Sequence, residues 1–190
     1  MRTRRALLGS LVAALLTVSS AHAQGTIKIG LILPYSGQFA DTATQMDNGI
    51  KLYMKQRGDT VAGKKIEIIR KDSGGVAPDV AKRLAQELIV RDNVDLLTGW
   101  VLTPNTLAAS DVSAQAKKFM VIMNAATSII TTKSPYSVRV SLTLPQVTES
   151  FGAWAHKSGV RKAYTMVSDF GPGHDAEGGF QRAFKALGGE

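Results

Sequence analysis

Apolar residues gather in short runs at Ile27 to Leu33, Ile66 to Arg70, Val94 to Leu97, Phe119 to Met123, Ser137 to Val140 and Ala163 to Ser168. Most of these runs are nearly continuous, the pattern of strands covered on both faces of a sheet. Between them the apolar spacing changes to three and four. Ala43, Met46, Ile50, Tyr53 and Met54 predict a first helix over Thr42 to Gln56. Pro78-Asp79 opens a second, whose apolar face carries Val80, Ala81, Leu84, Ala85, Leu88 and Ile89. A third begins at Thr103-Pro104 and buries Leu107, Ala108 and Val112. A fourth carries Val147, Phe151, Trp154 and Ala155, and a fifth Ala176, Phe180, Ala183, Phe184 and Leu187. Each stripe is core rather than a cofactor box.

Strand and helix in alternation predict an α/β fold on a doubly wound parallel sheet, with helices on both faces and right-handed crossovers. Ligands of such sheets sit beyond the carboxyl ends of the strands. Three turns therefore carry the interest: Pro34 to Asp41, Gly99 to Thr103, and Asn124 to Ser128. The segment Ser137 to Pro145 reads as one extended strand crossing between two lobes, after which the strand-helix pattern resumes. Residues 24–142 are thus expected to form one lobe and 143–190 the start of a second. The chain ends at Gly188-Gly189-Glu190, where a helix cap should hand over to another strand, so the second lobe is expected to be incomplete.

The first residues change the setting. Arg2, Arg4 and Arg5 precede an uncharged stretch rich in Leu, Val and Ala, and Ala21-His22-Ala23 supplies a small-x-small cleavage pattern. This is an export signal over residues 1–23, too short in its apolar part to be a comfortable membrane span. Arg4-Arg5 also fits a twin-arginine address loosely, and the general and twin-arginine routes both stay open. Cleavage removes three cations and no acidic residue, lowering the formal net charge from +8 to +5. The remaining Lys and Arg are scattered among Asp and Glu, without the dense basic run that nucleic-acid binding needs. There is no cysteine, so neither a disulfide framework nor a thiolate metal site can form.

None of the familiar catalytic signatures is present: no His-Glu-x-x-His, Gly-x-Ser-x-Gly, phosphate loop or dinucleotide fingerprint. Gly171-Pro172-Gly173 is a turn, and His174-Asp175 stands where a helix wants a cap. The chemistry lies instead at the predicted turns. Thr103 reads as an N-cap with Pro104 as the first helical residue, leaving the free amides of the helix start for an anionic group. Small residues and hydroxyls recur at Asn124-Ala125-Ala126-Thr127-Ser128. Two such turns, at the ends of neighbouring strands, can converge on one carboxylate.

The ordered series IKIGLILPYSG, DNGIKLYM, GKKIEIIRKD, APDVAKRLAQELIVRDNVDLLTG and SDFGPGHDAEGGF covers nearly the whole mature chain. It resembles the periplasmic solute-binding proteins of ABC importers, of the type that binds leucine, isoleucine and valine. The resemblance implies the type I periplasmic-binding fold: two α/β lobes joined by hinge strands, closing on a ligand, in a chain roughly twice this length. It carries the family's hydroxyl onto Thr103, with Leu102 before it, and the family's carboxylate-binding small residue and threonine onto Ala125 and Thr127. The family's first-turn aromatic falls near Thr42 and its second-lobe tyrosine near Pro172, beside Phe170; both are departures. Ligands left open are a branched-chain amino acid, an amide, urea or an aromatic acid. Trp100 and Phe170 beside the pocket would suit an aryl carboxylate, although Trp100 packed under the lobe is the alternative.

The implied function is capture of a small carboxylate-bearing ligand in the periplasm and delivery to an ABC permease of the inner membrane. No enzymatic activity, cofactor, metal or nucleic acid is expected, and the protein is expected to be a monomer. The alternative is the extracellular ligand-sensing domain of a signalling receptor with the same fold. A secreted enzyme stands third, lacking a visible nucleophile-base pair or metal set.

Overall fold

The structure is a computed structural model and describes residues 25–190. The export signal expected over residues 1–23 lies outside the described residues.

Five of the six apolar runs form strands of one sheet. β1 (Thr26–Leu33), β3 (Lys64–Asp72), β4 (Leu96–Gly99), β5 (Phe119–Ile122) and β6 (Ser137–Arg139) are joined by a two-residue strand, β2 (Thr60–Val61). Their spatial order is β2-β3-β1-β4-β5-β6, parallel throughout except for the antiparallel β2–β3 pair. The intervening helices are α1 (Ala40–Arg57), α2 (Pro78–Val90) and α3 (Thr103–Ala116). α1 covers one face through Ala43, Met46 and Ile50 against Leu31 and Leu33. On the other face α2 and α3 bury Ala81, Leu84, Leu88, Ala109 and Val112 against Ile32, Leu97, Met120 and Ile122. The chain moves outward from β1 to β3, then returns past it to β4. The order therefore reverses between β1 and β4, leaving a crevice at their carboxyl ends.

Gly99 makes that crevice possible. Its φ is +112°, and a Cβ built on it would stand 2.2 Å from the Ile32 carbonyl oxygen. Only a residue without a side chain lets the end of β4 lie that close to β1.

α3 departs from the expected pattern. Leu107 and Ala108 are only partly covered, while Thr103, Asn105, Thr106, Ser110 and Ser113 are buried. Their hydroxyls bond back to the chain: Thr106 Oγ1 donates to the Leu102 carbonyl at 2.7 Å and Ser110 Oγ to the Thr106 carbonyl at 2.9 Å. Short side chains that satisfy themselves along their own helix can be buried without leaving an orphaned polar group.

After β6 come α4 (Leu144–Lys157) and α5 (Gly171–Ala186), which pack on each other through Phe151, Phe180 and Phe184. Two expectations fail in this region. The strand at Ser137 ends at Arg139, and Pro145 belongs to the first turn of α4, where a missing N–H costs nothing. Thr143 caps that helix with Gln146 in a reciprocal capping box. Ala163 to Ser168 forms no strand, because among the described residues only Glu190 pairs with its backbone from a distant part of the chain. The Glu190 amide donates to the Arg161 carbonyl and the Ala163 amide to the Glu190 carbonyl, both at 2.8 Å and in the offset of a parallel ladder.

Candidate functional site

The crevice opens into a cleft of about 460 Å3, within the range that holds a small organic ligand. Phe39 and Thr42 reach it from the start of α1, Leu102 and Thr103 from the start of α3, Asn124 and Ala126 from the turn after β5. Ser141 and Leu142 line the passage beyond β6, and Phe170 and Pro172 close it from the start of α5. The reversal point of the sheet and the N-terminus of α5 thus face the same space.

Thr103 and Thr127 are brought together. Both are buried, and their Oγ1 atoms lie 2.8 Å apart. The contact follows from the parallel pairing of β4 with β5, in which Gly99 lies beside Ile122 and both chains then turn the same way. Thr103 is not the N-cap that the sequence suggests. Leu102 holds the cap position with extended φ and ψ, Thr103 is the first helical residue, and its hydroxyl leaves the helix for Thr127. Because Pro104 has no N–H, the free amides of this first turn are those of Thr103 and Asn105.

Ala125 is placed differently from the expectation, and Trp100 takes the alternative, packed under the lobe. The Ala125 amide donates to the Trp100 carbonyl at 2.9 Å and its side chain is buried in the core, so it offers the cleft no donor. Its neighbour Ala126 lines the cleft instead. Trp100, at φ +70° just after Gly99, turns its indole into the core between the sheet and α2 and α3, where it is 1% exposed. Leu102, Thr42 and Phe170 do line the cleft.

The polar surroundings hold the turns still. Asn105 accepts from the Ala77 amide at 2.9 Å and donates to the Gly75 carbonyl at 3.0 Å, fixing the loop after β3 to α3. Arg139 donates to the Thr127 carbonyl at 2.5 Å. Burial lowers its pKa, opposed by the negative charge of Asp175. Asp72 accepts from the Gly74 and Ser36 amides at the end of β3. Burial pushes its carboxyl up, but those hydrogen bonds more than offset this, and it lies below its ordinary value.

Asp175 is a residue whose role the sequence does not reveal. Its carboxylate accepts from the Ser128 amide at 2.9 Å and the Ser128 hydroxyl at 2.8 Å. It does not cap its own helix, since Phe170 holds the N-cap position of α5. His174 pairs instead with Asp169 at 2.8 Å on an exposed surface. Among the described residues no three His, Asp or Glu side chains gather as a metal-ligand set.

The family model described as periplasmic binding protein matches residues 26–190. Leu/Ile/Val-binding protein homolog 6 of Brucella abortus is 42% identical over 175 residues, which is 92% of this chain and 45% of the relative. A solute-binding protein of an ABC transporter from Rhodopseudomonas palustris BisB5, solved with 3,4-dihydroxybenzoic acid, is similar at TM-score 0.84 and 53% identity over 87% of this chain and 45% of its own. A second, from R. palustris HaA2 with p-hydroxybenzoic acid, is similar at TM-score 0.85 and 43% identity over the same shares. The chain therefore spans less than half the length of the relatives it matches. One family match runs through both the sheet and the helices beyond it, and the fold is that of the type I periplasmic binding proteins: the chain belongs to the periplasmic binding protein family.

Proposed function

We propose that this chain is part of the extracytoplasmic solute-binding component of an ABC importer, and that its ligand is an aryl carboxylate. The observation that carries the reading is the buried Thr103–Thr127 hydroxyl pair, whose Thr103 lines a cleft that Phe170 also lines. In a pair of hydroxyls one proton is used between the oxygens and the second is free to donate outward. Together with the amides at the start of α3 it makes a donor set for a carboxylate, helped by the positive end of that helix. Phe39 and Phe170 give the rest of the ligand aromatic walls, which suit a benzene ring better than a short aliphatic chain.

The two Rhodopseudomonas relatives that carry hydroxylated benzoic acids support the aryl class. Residues 24–142 serve as the first lobe and 143–190 as the start of the second. The work is binding and hand-over to a permease in the inner membrane, by a monomer in the periplasm and without chemistry on the ligand.

The test is calorimetric titration of the full-length mature protein with benzoate, 4-hydroxybenzoate, leucine and 4-hydroxybenzamide, with the ligand recovered afterwards. Tight binding of the two benzoates, weak binding of leucine and the amide, and unaltered recovered ligand are expected. Preference for leucine, or equal binding of acid and amide, would refute the aryl carboxylate assignment.

A further inference from the structure

We propose that Asp175 is a closing residue: its bidentate contact with Ser128 holds the second lobe shut over the Thr103–Thr127 pair. The proposal rests on the reading of the cleft as the ligand site and of α5 as part of the moving lobe.

Both oxygens of the Asp175 carboxylate are engaged, one by the Ser128 amide and one by its hydroxyl, across 47 residues of sequence. Ser128 directly follows Thr127. One turn before Asp175 on α5 is Gly171, and a Cβ built there would stand 3.7 Å from the Thr127 methyl and 3.9 Å from that of Thr103. The contact that ties α5 down is therefore beside the pair that α5 covers. Elsewhere α5 packs on α4.

The chemistry suits a reversible clasp. A carboxylate bonded to one amide and one hydroxyl makes charge-assisted hydrogen bonds, yet all three groups are rehydrated when they separate, so the bonds bias closure without locking it. Arg139, which holds the Thr127 carbonyl, lies near enough to interact with the Asp175 charge and has no other ionised partner among the described residues. Closure therefore also brings a counter-charge toward a poorly solvated cation. A ligand held only in the closed form has an apparent affinity reduced by the fraction of protein that is open. A residue that raises the closed fraction raises affinity without touching the ligand.

The experiment uses the full-length mature protein with spin labels at Lys133→Cys, beside the Ser128 turn, and Lys185→Cys on α5, both exposed positions. Any cysteine outside these 190 residues is replaced first. Distances are measured without ligand and with 4-hydroxybenzoate, in the unsubstituted background and with Asp175→Asn or Ser128→Ala. Asp175→Asn should move the ligand-free distribution toward longer distances. It should also weaken benzoate and 4-hydroxybenzoate by the same factor, about 10-fold, through a faster off-rate with on-rate unchanged. Ser128→Ala, which keeps the amide bond, should do the same more weakly. An unchanged distance distribution in both variants overturns the proposal, as does an affinity loss confined to the on-rate. If no aryl carboxylate binds the unsubstituted protein, the ligand assignment fails alone, because the ligand-free distances still decide the role of Asp175.

Discussion

Thr103 Oγ1 and Thr127 Oγ1 lie 2.8 Å apart, joining the first residue of α3 to the turn after β5. Neither hydroxyl caps its own helix; each is engaged by the other. Thr103→Val and Thr127→Val should each weaken 4-hydroxybenzoate binding by about 10-fold, on the scale of one hydrogen bond to a charged group. The double variant should lose less than the product of the two, because either single change already disrupts the shared proton arrangement. Titration calorimetry of the four proteins checks this, and strict additivity would mean that the two hydroxyls act separately.

Phe170 and Trp100 are predicted to separate cleanly. Phe170→Ala should lower affinity for aryl carboxylates several-fold while leaving the unfolding midpoint of the ligand-free protein nearly unchanged, since Phe170 is 40% exposed at the cleft. Trp100→Ala should instead cost about 3 to 5 kcal/mol of stability, as loss of a fully buried aromatic does. Urea unfolding beside a binding titration reads both effects.

Gly99 should tolerate no side chain. Gly99→Ala places a methyl against the Ile32 carbonyl at a positive φ and should destabilise by about 3 kcal/mol or more. A stability loss of under about 1 kcal/mol would show that the β1–β4 approach relaxes easily.

An ion pair ties α1 to β3. Arg70 Nε donates to both Asp47 oxygens at 3.0 and 3.1 Å, and Lys51 Nζ reaches the same carboxylate at 2.9 Å. Burial pushes the Asp47 carboxyl up, but Arg70 and Lys51 outweigh it and hold it below its ordinary value. Its contribution is therefore complete above the unfolded value of about 3.9 and is lost as the pH falls through the lower folded value. Asp47→Ala should cost about 2 kcal/mol at neutral pH, reduced from the fully buried case by the partial exposure of Arg70. The variant should also show a shallower loss of stability in acid, measured by urea midpoints at a series of pH values.

Tyr35 governs the alkaline side. Burial, with the nearby Asp47 charge, pushes its hydroxyl up to about 12. The stabilisation is full below the unfolded value of about 10 and is lost as the pH rises through 12. Its hydroxyl finds no hydrogen-bond partner among the described residues. Tyr35→Phe should thus be close to neutral at pH 7 and should flatten the stability loss between pH 10 and 12, followed by chemical denaturation.

The strands of the first sheet, the helices and the turns worth inspecting follow from sequence alone, because a strand buried on both faces and a helix buried on one must display those periods. Thr103 and the Asn124 to Ser128 turn stand out in the sequence for a related reason, as small polar residues where a strand ends or a helix begins, whereas Leu102, Thr42 and Phe170 came only with the family resemblance. Contacts across the fold were not legible. That Thr103 bonds to Thr127 rather than to its own helix depends on the register of β4 against β5. That Ala125 has no free amide depends on the close return of Trp100, and Asp175 finds Ser128 only because α5 is carried over the end of the first sheet. A period along the chain records which face of an element is dry. Which two polar groups meet is fixed by the packing of elements far apart in sequence, and that is decided in three dimensions.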